Sequence, residues 1–336
     1  MAEMILVVGG AGYIGSHTVL ALRERGRRVL VLDDLSEGHR AALLGAPLAR
    51  ADVLDLEQVR SVFQWHRIGA VMHFAARCYV GESVTHPGRY YRANVLGTLN
   101  LLECMREAGV KRFVFSSTCA TYGEPESMPI VETMPQRPVN PYGETKLVCE
   151  RMMRDFARAH GLDSVALRYF NAAGADPGGR LGEDHEPETH LIPLVLQAAQ
   201  GRRPHLTVFG NDYPTRDGTC IRDYIHVTDL AEAHVLALEA MEQGRAGGFQ
   251  FFNLGNQSGT SVLEVIHAAE KVTGRKVPYV VGARRAGDPP VLVGSSAKIQ
   301  EQLGWRPRFG SIEEIVGTAW RWHAAHPGGY QDRQTS

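Results

Sequence analysis

The chain has 336 residues, 44% of them hydrophobic and 22% charged, and its 36 basic side chains nearly balance 37 acidic ones. A formal charge of -1 excludes the strong positive field on which non-specific nucleic-acid binding depends. No apolar run approaches the ~20 residues of a membrane-spanning helix, and the first apolar stretch is too short for a signal peptide. The sequence therefore predicts a cytoplasmic protein that acts on a small molecule, with no nucleic-acid or membrane partner.

Short apolar runs alternate with amphipathic stretches through the first half of the chain. This pattern predicts buried strands at residues 4–8, 28–32, 70–75, 112–116 and 164–170. It predicts helices at residues 15–25, 56–66, 90–108 and 142–160. Such an alternation indicates an α/β fold with a Rossmann-type doubly wound parallel sheet, which binds ligands at the carboxyl ends of its strands.

The second half of the chain contains longer loops rich in glycine and proline. Helical periodicity there predicts helices at residues 190–200, 228–240, 262–273 and 312–323. We predict a Rossmann domain over residues 1–175 and a smaller substrate-binding lobe mainly over 176–330, some segments of which return to the sheet. Residues 331–336 are predicted to be a frayed tail.

Neither the cysteines nor the histidines have the spacing of a metal site. The five cysteines are widely separated and include no CxxC pair, which argues against a disulfide framework or a structural zinc. Asp184, His185, Glu186 and His190 form one polar cluster, but it lacks an HExxH-type helical spacing. We expect a solvated loop there and no bound metal.

A glycine-rich loop follows the first predicted strand and opens the first helix. Gly9 permits a tight turn, Gly12 allows the backbone to approach a pyrophosphate, and Gly15 permits close helix packing. Asp33 ends the next strand, where a carboxylate accepts hydrogen bonds from a ribose diol and repels a 2′-phosphate. The pattern predicts NAD as the cofactor. Asp52 either reaches the adenine or forms a turn, and the sequence favours neither.

A second motif follows the predicted strand at residues 112–116. Tyr142 and Lys146 have the i, i+4 spacing that stacks two side chains on one helix face. A nearby ammonium and the positive nicotinamide ring would lower the pKa of the phenol, so that Tyr142 acts as a general base. Thr118 supplies a hydroxyl at the same sheet edge. These three residues are the predicted catalytic group.

These motifs resemble those of the extended short-chain dehydrogenase/reductase family. Further segments, among them HFAA at 73–76, RYFN at 168–171, TVFGNDYP at 207–214 and RDYIH at 222–226, resemble the sugar-nucleotide 4-epimerases of that family. The resemblance runs from Met4 to about Tyr330. It implies a tightly held NAD and the interconversion of UDP-glucose and UDP-galactose, in galactose metabolism, through a 4-keto sugar. It also implies a homodimer. Residues 90–108 and 142–160 either form its contact helices or only cover the sheet of a monomer.

The resemblance extends to individual site residues. The implied cofactor contacts are Gly9, Gly12, Tyr13, Ile14, Gly15, Asp33, Asp52, Val53, Phe74, Ala75, Ala76, Asn94, Ser116, Lys146 and Tyr169. The implied substrate contacts are Thr118, Tyr142, Asn171, His190, Leu191, Phe209, Arg222, Tyr224, Arg285, Asp288 and Leu292. In particular, Arg222 and Asn171 are expected at the UDP phosphates and Phe209 at the uracil.

Several alternatives remain open at this point. Cys119 and Ala120 follow Thr118 where a dehydratase needs an acidic pair, which disfavours dehydration. A UDP-glucuronate-type epimerase and a non-catalytic NAD-binding regulator remain as alternatives. Leu292 stands where a tyrosine would narrow the hexose pocket, so UDP-N-acetyl sugars are also candidate substrates.

Overall fold

The computed structural model describes residues 3–285 and 288–332. Its strands, in chain order, are β1 (Met4–Val8), β2 (Val29–Asp33), β3 (Leu48–Arg50), β4 (Ile68–His73), β5 (Arg112–Thr118), β6 (Asp163–Tyr169), β7 (Asn171–Ala173), β8 (Leu206–Phe209), β9 (Ile221–Arg222), β10 (Tyr224–His226), β11 (Phe249–Leu254), β12 (Thr260–Ser261), β13 (Tyr279–Gly282) and β14 (Val291–Leu292). The α-helices are α1 (Tyr13–Glu24), α2 (Leu56–Trp65), α3 (Val80–Thr85), α4 (Pro87–Tyr90), α5 (Gly97–Ala108), α6 (Pro141–His160), α7 (Leu191–Ala199), α8 (Val227–Glu242), α9 (Val262–Thr273), α10 (Ala297–Leu303) and α11 (Ile312–Ala325).

Seven parallel strands form the main sheet, in the order β11-β6-β5-β4-β1-β2-β3. The direction of the strand order reverses between β1 and β4, and this reversal opens a crevice at their carboxyl ends. Sheet and flanking helices confirm the predicted Rossmann-type α/β fold. All five predicted strands are present, with ends shifted by at most two residues.

Helices cover both faces of the sheet because alternate residues of each strand point to opposite sides. On one face, Val7 packs with α1 and α8 in a core that includes Leu22 and Leu230. On the other face, Leu6 packs with α2, α5 and α6 in a core that includes Leu101 and Met153. Burial on both faces explains why these strands appear in the sequence as continuous apolar runs.

The second half of the chain builds a smaller lobe around α7, α9 and α11. Its core includes Ile192, Val265 and Ile315, and short strand pairs lie beside it. The chain nevertheless returns to the main sheet, because β11 pairs with β6 and α8 packs on α1. The later elements α8, α10 and β11 thus pack with the main sheet and its helices, and the division of the chain at residue 175 stays a prediction. Among the described residues, no helix is both long and apolar enough to span a membrane.

One predicted helix is interrupted. Residues 90–108 are not one α-helix, because a π-helical turn at Tyr91–Leu96 precedes α5. Asn94 is 1% exposed in this turn, and its amide donates to Arg77 O and Thr145 Oγ1. Helical periodicity does not reveal such a turn, because apolar spacing is preserved on either side of it.

Side-chain contacts hold the end of the chain as far as Asp332, although the sequence predicts a frayed tail from residue 331. In the predicted tail, Asp332 accepts hydrogen bonds from Ala41 N and pairs with His39 Nδ1 at 2.6 Å. Tyr330 lies over the His39 ring, with 4.8 Å between the ring centroids. Residues 333–336 of the predicted tail lie outside the described residues.

Candidate active site

The glycine loop between β1 and α1 leaves no room for side chains. Gly9 has φ +77°, and a Cβ there would lie 2.4 Å from Ala75 N. A Cβ on Gly15 would lie 2.1 Å from Gly9 O. Gly12 is the N-cap of α1 and supplies no side-chain acceptor, so the first N–H groups of the helix are available to an anion. This close-packed turn at the sheet crevice fits a dinucleotide pyrophosphate.

Asp33 ends β2 beside that loop. Its Oδ2 accepts from Ala11 N and its Oδ1 from Leu35 N, both at 2.9 Å. Burial raises the pKa of this carboxyl, and the two backbone hydrogen bonds act in the opposite direction. Each carboxylate oxygen retains a lone pair, so Asp33 is held in place and can still accept from a ribose hydroxyl.

Asp52 and Val53 lie in the turn after β3. Asp52 Oδ1 accepts from Leu54 N at 2.8 Å, and Val53 O accepts from Asn100 Nδ2 at 2.9 Å. The sequence left two roles open for Asp52, contact with the adenine or a role in a turn. In the structure Asp52 has the turn role, and contact with the adenine stays a prediction.

The remaining predicted cofactor residues lie at the same sheet edge. Phe74 N and Ala75 N both donate to Val8 O, which joins β4 to β1 at the crevice, and Ala76 continues this segment. The Tyr13 hydroxyl donates to Gly174 O at 2.6 Å, which connects α1 with the segment after β7. Ile14 packs against the core on the α1 face. Asn94 Oδ1 accepts from Arg77 N, so its amide is largely used in backbone contacts.

Thr118, Tyr142 and Lys146 meet where β5 ends and α6 begins. Asn140 caps α6 by accepting from Gly143 N at 2.9 Å, and Pro141 occupies the first turn. Tyr142 lies in the first turn of α6 and Thr118 ends β5, and the Thr118 side chain lowers the pKa of the phenol. Lys146 Nζ donates to Ser116 O at 2.9 Å and lies 4.7 Å from the Phe115 ring centroid. The structure therefore brings the predicted catalytic group together.

Burial dominates the electrostatics of this group. It raises the pKa of Tyr142 well above the usual value, and the Thr118 side chain partly offsets this rise. It lowers the pKa of Lys146 to about 8. Burial thus opposes the phenolate form on which the predicted role of Tyr142 as a general base depends.

The predicted UDP contacts gather in the smaller lobe. Arg222 forms an ion pair with Asp288, and Asn171 Nδ2 donates to Asp223 O at 2.9 Å. The Arg285 guanidinium lies 4.1 Å from the ring centroid of Phe209, which is 38% exposed. A cavity of about 750 Å³ adjoins these groups and is lined in part by Arg285, Asp288 and Val291.

Three further predicted substrate residues have defined surroundings. Tyr224 in β10 is paired with Asn171 in β7, and Leu292 in β14 is paired with Arg222 in β9. Leu191 begins α7 and packs against the core of the smaller lobe.

Comparisons with known proteins agree with this geometry. The family model described as NAD dependent epimerase/dehydratase matches residues 5–255. The UDP-glucose 4-epimerase of Halalkalibacterium halodurans is 55% identical over 97% of this chain and 97% of its own. That of Streptococcus mutans serotype c is 52% identical over 98% of this chain and 99% of its own. The structure of UDP-glucose 4-epimerase from Brucella ovis in complex with NAD is 50% identical and has a TM-score of 0.92, covering 95% of this chain and 98% of that one.

The chain belongs to the UDP-glucose 4-epimerase family. This confirms the resemblance that the sequence motifs carry and the prediction of an NAD-dependent isomerase. A structure from Bifidobacterium longum, in complex with NAD+ and UDP, has a TM-score of 0.92 at 37% identity and covers 97% of this chain and all of that one. No comparison tests the roles of individual residues, which stay predictions.

Behind the catalytic group, this epimerase carries a buried polar network that sequence reasoning missed. Arg168 donates to Glu150 Oε1 at 2.9 Å, and Ser117 Oγ donates to the same oxygen at 2.6 Å. Arg168 Nη1 also donates to the Tyr122 hydroxyl, which donates to Asn253 Oδ1. Ser116 Oγ is hydrogen-bonded to the Tyr169 hydroxyl. The sequence signal that could have revealed this network is Glu150, which lies four residues after Lys146 and on the same helix face.

A second missed group lies in the segment before α7. The sequence predicts a solvated loop containing Asp184, His185, Glu186 and His190. The structure instead joins His185 and His190 to Glu183 and Glu188, and Asp184 turns away to accept from Tyr330 N. Glu186 is exposed, whereas Asp184, His185 and His190 are half-buried, and Glu183, which the sequence analysis did not include, is only 4% exposed. Chain folding between β7 and α7, which local spacing does not reveal, creates this cluster.

Proposed function

We propose that this protein interconverts UDP-galactose and UDP-glucose, with Tyr142 as the acid–base group at the 4-hydroxyl. The observation that carries this proposal is the meeting of Thr118, Tyr142 and Lys146 where β5 ends and α6 begins, at the crevice that also holds the glycine loop. A hydroxyl, a phenol and an ammonium at a dinucleotide site are the groups that reversible oxidation of an alcohol requires.

The residues present fit NAD. The turn at Gly9 and Gly15 excludes side chains, the start of α1 offers N–H groups to phosphate, and Asp33 is placed for a ribose diol. Bound NAD would supply the hydride acceptor, and after reduction the hydride donor, for the sugar carbon C4.

Tyr142 and Thr118 handle the proton that accompanies this hydride. Thr118 hydrogen-bonds the 4-hydroxyl and orients it, and Tyr142 removes its proton as the C4–H bond breaks. The product is a 4-keto hexose and a neutral phenol. When hydride returns to the opposite face of C4, Tyr142 gives its proton back to the oxygen, and the configuration is inverted. Lys146 keeps a positive charge nearby, which favours the phenolate in the first half of the cycle.

Inversion requires the hexose to turn while the nucleotide stays fixed. We propose that Arg222 and Arg285 hold the UDP, since a guanidinium meets phosphate oxygens with paired hydrogen bonds. The stacking of Arg285 on Phe209 offers a flat cationic surface at the nucleotide end. The sugar end carries no comparable cluster of charges among the predicted contacts, which suits a group that must rotate.

Isotope retention tests this mechanism. UDP-galactose carrying deuterium at C4 is incubated in ordinary water, and the UDP-glucose formed is analysed by mass spectrometry and NMR. Because the same hydride leaves and returns, we expect the label to remain at C4. Exchange of the label with solvent would contradict the mechanism, and the absence of any UDP-glucose would contradict the substrate assignment. A glucuronate substrate or a regulatory role would then regain support.

A second proposal concerns UDP-sugars that carry an N-acetyl group. Leu292 is half-buried in β14 beside Arg222, and leucine fills less space than tyrosine. We therefore propose that UDP-N-acetylglucosamine is also epimerised. Leu292→Tyr is expected to reduce turnover of the acetylated sugar far more than turnover of UDP-galactose. Equal loss for both substrates would contradict this explanation.

We also propose a homodimer, as the resemblance implies. Tyr91 and Leu96 are 43% and 42% exposed on the face formed by the π-helical turn, α5 and α6. Light scattering during size-exclusion chromatography tests the state, and Leu96→Glu is expected to shift the protein to monomer. An unchanged mass for that variant would contradict the proposed interface. Cytoplasmic residence stays a prediction from the sequence.

A further inference from the structure

The segment between β7 and α7 gathers two carboxylates and two imidazoles. Glu183, His185, Glu188 and His190 each offer one ligand atom, and these four atoms lie within 4.8 Å of one another. The side chains of Glu183 and Glu188 are 5% and 7% exposed, so the carboxylates do not project into solvent. Charged groups are buried in this way only when they are paired or bind a metal.

The separations between these atoms suit a four-coordinate ion. His190 Nδ1 lies 2.9 Å from Glu183 Oε1 and is hydrogen-bonded to Glu188 Oε1 at 3.0 Å. His185 Nδ1 lies 3.2 Å from Glu183 Oε1 and 3.8 Å from Glu188 Oε2. Zinc ligands at about 2.0–2.2 Å in a tetrahedron are separated from one another by roughly 3.3–3.5 Å, which is the middle of this range.

His185 gives a second, independent indication. Its Nδ1 is buried and forms no hydrogen bond, although Glu183 Oε1 is only 3.2 Å away. A ring nitrogen close to an oxygen but not aligned with it is what two ligands of a common ion would show. Glu188 Oε1 meanwhile accepts from Thr189 N and His190 N, both at 2.8 Å. Such backbone bonds fix the orientation of a ligating carboxylate.

We propose that Glu183, His185, Glu188 and His190 bind one zinc ion. Two imidazole nitrogens favour zinc over magnesium and calcium, which prefer oxygen ligands. The two carboxylates neutralise the charge of a divalent ion, and two neutral histidines complete the set. This proposal departs from the sequence analysis, which predicted no metal because it considered the spacing within one helix.

The ion would act as a structural clamp beside the cofactor crevice. The His185 ring lies edge-on to the Tyr13 ring, with 6.2 Å between centroids, and Tyr13 opens α1 after the glycine loop. His190 immediately precedes α7 of the smaller lobe. Zinc bound here therefore connects the start of the lobe to the helix that begins at the glycine loop. With all four positions taken by protein, the ion has no open site for chemistry.

Metal uptake by the intact chain tests this proposal. The purified protein is stripped with a strong chelator, supplied with NAD and titrated with zinc chloride against a chromogenic zinc indicator. We expect one zinc per chain, and an increase in the unfolding temperature when zinc is added. His185→Gln and Glu183→Gln each remove one ligand and are expected to weaken zinc binding by about tenfold or more. His205→Gln, at an exposed histidine outside the cluster, is the matched control and is expected to bind zinc normally.

A measurement on the unmodified protein covers the case in which a variant fails to fold. Cobalt(II) bound at this site is expected to give the intense visible absorption of tetrahedral coordination, and zinc is expected to abolish it by displacement. Failure of the unmodified protein to take up zinc would overturn the proposal and leave two Glu–His ion pairs. Uptake that persists in the Glu183→Gln/His185→Gln double variant would overturn it as well.

Discussion

At the residue scale, the proposed mechanism depends on a phenol whose ionisation is opposed by burial. Burial raises the pKa of Tyr142, and it lowers the pKa of Lys146 to about 8, so that the ammonium stays mostly protonated at neutral pH. In the proposed mechanism, the positive charge of oxidised NAD would add to that of Lys146 in favouring the phenolate.

Removal of the phenol hydroxyl tests the role of Tyr142. Tyr142→Phe is expected to lower kcat by about 10²–10⁴-fold, the usual contribution of an acid–base group. The fold and NAD binding should persist, because the substitution removes a single hydroxyl group. Tyr279→Phe, at an exposed tyrosine in β13, is the control. A Tyr142→Phe enzyme with near-normal kcat would refute the assignment.

A methyl group at Gly15 tests the glycine loop. Its Cβ would lie 2.1 Å from Gly9 O, so Gly15→Ala must displace the turn. We expect it to lower the free energy of unfolding by about 1–3 kcal/mol and to abolish NAD retention. Gly317→Ala in α11 meets nothing within 4 Å and is expected to be neutral or stabilising by up to about 1 kcal/mol. Urea unfolding measures the free energy of unfolding, and the amount of NAD released from the purified protein measures its retention. If the two variants have equal stability and equal NAD content, the account is contradicted.

At the element scale, local patterns predicted most of what positions the cofactor. The loop from Gly9 to Gly15 and the pair Tyr142 and Lys146 were found because their spacing is short and their geometry is set by one strand end or one helix. The cluster of Glu183 and its neighbours, and the contact of Arg168 with Glu150, were missed because tertiary folding creates them. The π-helical turn at Asn94 was missed because buried amide bonds, rather than apolar spacing, determine it.

The N-cap of α6 connects an element to the active site. Asn140→Ala removes the acceptor for Gly143 N and is expected to lower the free energy of unfolding by about 1 kcal/mol. Because Tyr142 lies in the first turn, kcat should fall as well. Asn140→Ser keeps a capping oxygen and should restore both stability and kcat. If the serine and alanine variants behave alike in denaturation and turnover assays, the cap does not position this turn.

At the scale of the whole molecule, four buried histidines make stability depend on pH. Burial lowers the pKa of His17 and His234 to about 4 and that of His73 and His226 to about 3. Each ring stays neutral in the folded protein, whereas the unfolded chain takes up protons below about pH 6.5. The unfolded state then binds more protons, so the free energy of unfolding falls as the pH falls.

We expect each of these histidines to cost about 1.4 kcal/mol per pH unit between roughly pH 6 and pH 4. Asp33, Asp223 and Asp229 act in the opposite direction, because burial raises the pKa of each carboxyl, that of Asp223 to about 6. Urea unfolding at pH 6.5, 5.5 and 4.5 measures the slope, and His234→Gln should reduce it by the share of one histidine. A stability that does not change over this range would contradict the burial of neutral rings.

The central claim is that this chain inverts C4 of a UDP-hexose. The most direct measurement follows UDP-galactose by proton NMR with the purified, NAD-loaded protein, with UDP-glucuronate supplied in a parallel sample. We predict that UDP-glucose accumulates to an equilibrium mixture that is reached equally from UDP-glucose, while UDP-glucuronate is unchanged. An unchanged UDP-galactose spectrum, with NAD binding demonstrated in the same sample, would contradict the account.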